Sequence, residues 1–355
     1  MEEGGDRARP EGARRPRGQR PGSVRQDRRA REGRAAGLSA EQEKVFRQQA
    51  RFCETRSPLY ARLCLALADE PGVAVLGVPP AWDLPLRLLG GLHHLVLEGR
   101  ASWDDVPGAL VEHRDWLARF VSEQNVQTNE VQRCFGLVPG FLALGDGRPL
   151  DVIELGPSAG LNLCWDRYRY RYEAGPWGPE GSALELTGGE QPGPPAELLA
   201  VTPRVRRRIG IDLHPVDVTS AEGARLLECF VWADQTERLE RLRRAIEVLR
   251  REPPELVQGD YVELLPAVLA ERDPDALTVV FQIASTPYVA EEGRRKVYAA
   301  LAEAGREGSL AFLNATRPDE GWRGDGYGLE LQTWPGRRRY VAHLDFHGEW
   351  IAWRG

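Results

Sequence analysis

Asp151-Val-Ile-Glu-Leu-Gly-Pro-Ser-Ala-Gly160 reads as a short strand running into a glycine turn. Leu150–Leu155 is an apolar run that carries Glu154 and is bounded by glycine, which is how a parallel strand covered on both faces looks. A helix is expected next, from Ala159 to about Tyr168. A strand that ends in glycine and opens a helix presents bare backbone N–H groups to a ligand's polar group. Gly156 and Gly160 remove the Cβ atoms that would block that approach. Glu154, inside an apolar strand, needs a partner there or at the edge of a site.

Downstream of the turn, strands and helices alternate. Val205–Leu213, Leu256–Asp260, Leu277–Ile283 and Ser309–Asn314 read as strands. Ala221–Phe230, Asp234–Arg251, Val262–Glu271 and Glu291–Ala304 read as the helices between them. Such alternation predicts a mainly parallel, Rossmann-like α/β sheet with right-handed crossovers. Arg169–Leu186 alternates aromatic and polar residues around Gly175-Pro-Trp-Gly-Pro179, so an insertion is expected at about 169–205. Leu329–Trp334 and Arg339–Phe346 flank Pro335-Gly336 and read as a closing hairpin. Trp322, Trp334, Trp350 and Trp353 read as packing aromatics.

Upstream, residues 38–147 form an expected all-helical cap. Ser39 is an N-cap with acids in the turn that follows it, Pro58–Asp69 is a second helix stopped by Pro71-Gly72, and Leu84–Glu98 and Pro107–Glu123 are two more. A fifth begins near Thr128. Gly145-Asp-Gly-Arg-Pro149 marks the boundary with the α/β domain, 148–355. Residues 1–37 hold 11 Arg against 6 acids and are rich in Gly and Pro. They cannot bury enough surface to offset their ordering entropy, so a disordered basic arm is expected.

With 355 residues, 42% hydrophobic and 28% charged, the chain has the composition of a globular protein. No stretch approaches the roughly 18 apolar residues of a membrane helix, and the amino terminus has no signal-peptide layout. A cytoplasmic location without membrane contact is the expectation. The part beyond the arm is acidic, with 36 Lys+Arg against 47 Asp+Glu, and repels phosphate backbones, which disfavours nucleic acid as a partner. The five scattered cysteines contain no C-x-x-C pair and read as buried thiols. There is no phosphate-cradling G-x-x-x-x-G-K-[ST] sequence.

Four successive strands end in polar groups at one edge. Glu154 precedes the glycine turn, Gly210-Ile-Asp212 supplies a carboxylate suited to a ribose diol, Gln258-Gly-Asp260 supplies one suited to an exocyclic amine, and Val279–Gln282 ends in an amide before Ser285-Thr-Pro-Tyr288. Ligands of open α/β sheets bind at that edge.

This order resembles the class I S-adenosylmethionine-dependent methyltransferases over about residues 150–355. The resemblance implies that Glu154, Gly156, Ser158 and Gly160 frame the methionine part of the cofactor, with Asn162 in the same phrase. It also implies that Asp212 holds the ribose, Asp260 the adenine amino group, and that Gln282 lines the pocket. Two departures stand out: Ser158 replaces the middle glycine, and Asp212 lies about fifty residues beyond the turn. Thr286-Pro-Tyr288 keeps half of the N-P-P-Y signature of amino-methyltransferases, so base methylation is not supported. More narrowly, Gln127-Thr-Asn-Glu-Val131, Ser158-Ala-Gly-Leu-Asn-Leu163, Trp165-Asp-Arg-Tyr-Arg-Tyr170 and Ile209–Val218 resemble an uncharacterised bacterial family, the domain of unknown function number 2332. That resemblance covers about 40–355 and implies no activity.

Gly156-Pro-Ser-Ala-Gly160 also fits G-x-S-x-G, the nucleophile elbow of α/β-hydrolases. Ser158 would then need Asp273 or Asp275 and His343 or His347. Against it, no strand loop precedes Leu150 to supply oxyanion donors, and Glu154 sits behind the nucleophile. Asn129, Glu130 and Arg133 read either as substrate contacts or as a capped helix with a Glu130–Arg133 pair. Asp166 and Tyr168 either meet substrate or clamp the insertion, and His214 is a base, an adenine neighbour or a turn histidine. His343, Asp345 and His347 alternate and would share one strand face, but no fourth metal ligand accompanies them. The expected function is methyl transfer from S-adenosylmethionine to a small molecule, with a ligand-binding or interaction protein on the same fold as the alternative.

Overall fold

A computed structural model describes residues 38–127, 129–316 and 326–355. The basic arm at 1–37, Thr128 and Trp322 lie outside the described residues. Helices come first: α1 (Ala40–Cys53), α2 (Pro58–Ala68), α3 (Pro71–Val75), α4 (Leu84–Leu97), α5 (Val106–Glu112) and α6 (Arg114–Glu123). Ser39 and Gln42 close a capping box on α1, and Ser57 caps α2 ahead of Pro58. The apolar faces of these helices enclose a core of their own around Phe46, Leu88, Leu92 and Leu117. The single helix expected over Pro107–Glu123 breaks at His113, whose ring nitrogen is tied to the Arg100 carbonyl at 3.0 Å.

The helix expected from Thr128 begins later, as a 3-10 turn at Val131–Arg133 and then α7 (Cys134–Leu142). Every residue of α7 is buried. Leu137, Val138 and Phe141 join the core of the sheet instead of the helical core.

The α/β part contains β1 (Leu150–Leu155), β2 (Arg169–Tyr172), β3 (Gly175–Trp177), β4 (Glu185–Thr187), β5 (Gly189–Glu190), α8 (Ala196–Leu199), β6 (Val205–Asp212), α9 (Ala221–Cys229) and α10 (Thr236–Arg251). It continues with β7 (Glu255–Gln258), α11 (Tyr261–Ala270), β8 (Leu277–Ile283), α12 (Glu291–Gly305), β9 (Leu310–Thr316), β10 (Tyr327–Trp334), β11 (Arg339–Leu344) and β12 (Trp350–Trp353). The main sheet has the order β5-β12-β11-β10-β9-β8-β1-β6-β7. It is Rossmann-like through its parallel strands β7, β6, β1, β8 and β9. The expected hairpin is β10–β11, and β12 extends it into a meander. The insertion forms a small sheet, β3-β2-β4, and lends β5 to the far edge of the large one.

From β1 the chain first builds outward through β6 and β7, then returns to β8 on the other side. The switch point therefore lies between β1 and β8, where an open α/β sheet forms its crevice. Both faces of β1 are covered, as its unbroken burial requires. Val152 faces α7 and α10, while Ile153 and Leu155 face α11 and α12.

The helix expected at Ala159–Tyr168 is a 3-10 segment, Leu161–Arg167, kinked at Cys164. Aromatic anchors account for the tighter winding. The Tyr168 hydroxyl donates to the Leu161 carbonyl at 2.7 Å and that of Tyr170 to Trp165 at 2.6 Å. Trp165 lies flat on Phe141 with ring centroids 4.3 Å apart. All five cysteines are buried and free.

Phe141 joins α7, the 3-10 segment and β8 through Trp165 and Phe281. Phe141→Ala is expected to cost about 3–5 kcal/mol, the range for emptying such a site. Denaturant titration checks this, and a loss below about 1 kcal/mol would refute the keystone role.

Candidate functional site

The carboxyl ends of β1, β6 and β7 meet at the glycine turn. Gly156 and Gly160 have φ of 72° and 79°, and Ser158 holds the left-handed region at 54°. A Cβ on Gly156 would sit 2.8 Å from the Ser285 Cβ, so the turn after β8 closes directly on the turn after β1. Asp212, ending β6, accepts the Ser158 N–H on Oδ2 and the His214 N–H on Oδ1, each at 2.8 Å. Its carboxylate is half-buried and each oxygen retains acceptor capacity. Asp260 is exposed and caps α11 by accepting the Val262 N–H.

Ser158 Oγ donates to Gln127 Oε1 at 2.5 Å and accepts from Asn129 Nδ2 at 3.0 Å. Both partners are amides, and neither can take a proton as a base. Two of the residues offered for a hydrolase triad lie elsewhere. Asp273 pairs with Arg206, which also grips Asp151 at the amino end of β1, the end opposite to the turn that carries Ser158. His343 is on β11, four strands away from β1, or roughly 19 Å.

Glu154 points to the α7 face, is 2% exposed, and accepts from Asn162 Nδ2 at 3.1 Å. Asn162 in turn accepts from the Cys134 thiol at 3.3 Å. The second oxygen of Glu154 is buried without a hydrogen-bond partner. Burial pushes its pKa up to about 8, against the opposing pull of Asn162. Gln282 is enclosed as well. Its amide donates to Asn314 and the Ala315 carbonyl and accepts from Ser285 and Thr286, which pins the turn after β8.

The remaining candidates divide. Asp166 pairs with Arg208 of β6 at 2.6 Å and Tyr168 is fully buried, so both hold the 3-10 segment in place. His214 is exposed and lines a cavity of about 780 Å³ under α6. The Glu130–Arg133 pair does not form. Glu130 instead meets Arg238 and Arg241 of α10, at 2.6 and 3.3 Å, and Arg133 donates to the Phe346 carbonyl at 2.9 Å. His343, Asp345 and His347 do not share a strand face. β11 stops at Leu344, and Asp345 turns back to accept the His347 N–H.

A larger cavity, about 1360 Å³, opens between the helical segment and the sheet. Phe52 of α1 and Trp82, just before α4, line it on the helical side, Trp232 and Arg238 from α10 and its approach, Tyr288 from the turn after β8, and Glu130 from the segment that crosses from α6 to α7. Arg238, Arg241 and Trp232 were not legible in the sequence. Only a helix over about Asp234–Arg251 was expected, and nothing in it says that two of its arginines meet a glutamate over a hundred residues earlier.

The chain belongs to the bacterial family described as "Uncharacterized protein conserved in bacteria (DUF2332)", whose family model matches residues 43–353. No curated protein matches it. Among the described residues, no helix is long and apolar enough to cross a membrane.

Glu154 gives a pH test. A carboxyl whose folded pKa is raised retains a proton that the unfolded chain loses, so stability falls as pH rises from roughly 5 towards 8, by up to about 1.4 kcal/mol per unit. The histidines with depressed pKa values, His93, His94, His343 and His347, are already neutral above pH 7. Glu154→Gln should therefore flatten the decline in urea midpoint between pH 7 and 8. An unchanged slope in the variant sinks the assignment.

Proposed function

We propose that the chain binds S-adenosylmethionine across the carboxyl ends of β1, β6 and β7 and transfers its methyl group to a small molecule held in the 1360 Å³ cavity. The observation that carries this reading is Asp212, a strand-end carboxylate bonded to the tip of the glycine turn in a sheet ordered β7-β6-β1-β8-β9.

The residues present suit the cofactor. The half-buried Asp212 carboxylate is oriented by two amides and suits vicinal hydroxyls. Asp260 offers an exposed carboxylate to an exocyclic amine. The Ala159 N–H reaches Asn129 Oδ1 only at 3.5 Å, the outer limit of a hydrogen bond, so a carboxylate can replace that partner. When bound, S-adenosylmethionine supplies a methyl group on a sulfonium. The chain's own part is to hold the acceptor in line and keep water out. The helical segment roofs the cavity; Gln127 and Asn129 bond to the glycine turn, and Glu130 lies in the cavity floor. Glu154 and Gln282 lie behind this surface and position the two turns.

A second reading, ligand binding without chemistry, has one observation in its favour: Ser158, Gln127 and Asn129 already close the turn among themselves. The excess of acid beyond the arm favours a small-molecule acceptor over nucleic acid.

Calorimetry separates these readings. S-adenosylmethionine and S-adenosylhomocysteine should bind the wild type with micromolar affinity. Asp212→Asn should weaken both by about tenfold or more, for the loss of charge-assisted bonds to a diol. No heat from either ligand on the wild type removes the cofactor reading.

A further inference from the structure

Arginines and acids are packed together in the floor of the large cavity. Glu130, 3% exposed, accepts the Gln132 N–H and faces Arg241 Nε on one oxygen, and faces Arg238 Nε on the other. Arg133 stands close enough to Arg238 for the two cations to repel. Two guanidinium groups thus share the Glu130 carboxylate, with Arg133 and Glu349 both close to Arg238. Arg241 pairs with Glu130 through Nε, which leaves its terminal nitrogens outside that pair, and its side chain lines the cavity. Burial and then the Arg133 and Arg241 cations lower the pKa of Arg238, with Glu130 and Glu349 opposing. Desolvation, Arg238 and Arg133 lower that of His347. Like charges gathered under partial burial are costly unless an anion joins them.

Exposed aromatic side chains also line the cavity. Phe52 is 52% exposed, Trp82 66% and Tyr288 79%, and all three line this cavity. Large apolar side chains left exposed around one concavity mark a binding surface. We propose that the cavity binds an aromatic carboxylate, its anionic group on Arg238 and Arg241 and its ring against Trp82 and Tyr288. This names the chemical class of the acceptor and rests on the reading that this cavity holds it, although binding itself needs no cofactor.

The test uses 4-phenylbutyrate, its neutral amide and inorganic phosphate on the full chain without cofactor, read by calorimetry and by quenching of tryptophan fluorescence. The carboxylate should bind at least tenfold more tightly than the amide. Arg241→Met and Trp82→Ala should each weaken it by about tenfold, with circular dichroism and melting temperature confirming that both variants fold. Should Arg241→Met not fold, Arg241→Lys takes its place, because a point charge cannot reproduce the planar fork and affinity should still drop. Equal binding of acid and amide, no binding of either, or unchanged affinity in the arginine variant overturns the proposal. Phosphate displacing the carboxylate at equal or lower concentration overturns the choice of ligand class. S-adenosylhomocysteine titrated into the same wild-type sample reports separately on the cofactor, so the two readings fail independently.

Discussion

The Asp212 carboxylate takes the backbone amides of Ser158 and His214, and the relative placement of the strand ends depends on that pair of bonds. β1 and β6 are already parallel neighbours, in register from Asp151 opposite Arg207 to Leu155 opposite Ile211. Register alone does not say how the chain leaves each strand. Asp212 does so by tying the tip of one turn to the start of the next. Gly210, two residues back in β6, makes room for Pro157, since a Cβ there would sit 2.6 Å from its ring. Turn, strand end and carboxylate therefore form one unit that can only shift together.

Ser158 is where this unit meets the helical segment. A non-glycine residue in the left-handed region carries roughly 1–2 kcal/mol of backbone strain. A glycine at this position would avoid the strain but lose the hydroxyl that engages Gln127 and Asn129. The serine therefore trades local backbone comfort for a link between the crossing segment and the sheet. Glu154 makes a related compromise one layer deeper. Burial pushes its pKa up to about 8, which favours the neutral form near pH 7, and it joins a polar chain through Asn162 to α7.

Much of the sheet was readable because parallel strands covered on both faces leave continuous apolar runs. β1 and β8 are found where expected, at Leu150–Leu155 and Leu277–Ile283, and β6 within a residue. The strand-end acids Asp212 and Asp260 were visible for the same reason, as charges that stop such runs. What escaped reading depends on partners distant in sequence. Local pattern suggests a helix after the glycine turn, but the buried tyrosines and the Trp165–Phe141 stack wind it into a 3-10 segment. Glu130 and Arg133 are spaced as an intrahelical pair, yet α10 supplies two arginines in the place of one. The apolar composition of α7 cannot say which of two cores it joins.

The crossing segment also constrains how the two candidate sites relate. Gln127 and Asn129 hold the glycine turn, and Glu130, the next residue, lies in the floor of the large cavity. Glu130 is fixed on α10 by two arginines and capped by the Gln132 amide, while Gln132 reaches the Thr187 and Gly348 carbonyls. The far end of the segment is therefore clamped from three directions. Its near end rests on neutral amide–hydroxyl bonds, each worth about 1 kcal/mol net. Of the two ends, the one over the glycine turn opens at lower cost. A ligand entering at the strand ends would move Asn129 and leave the arginine floor in place, which lets one site change its contents while the other keeps its shape.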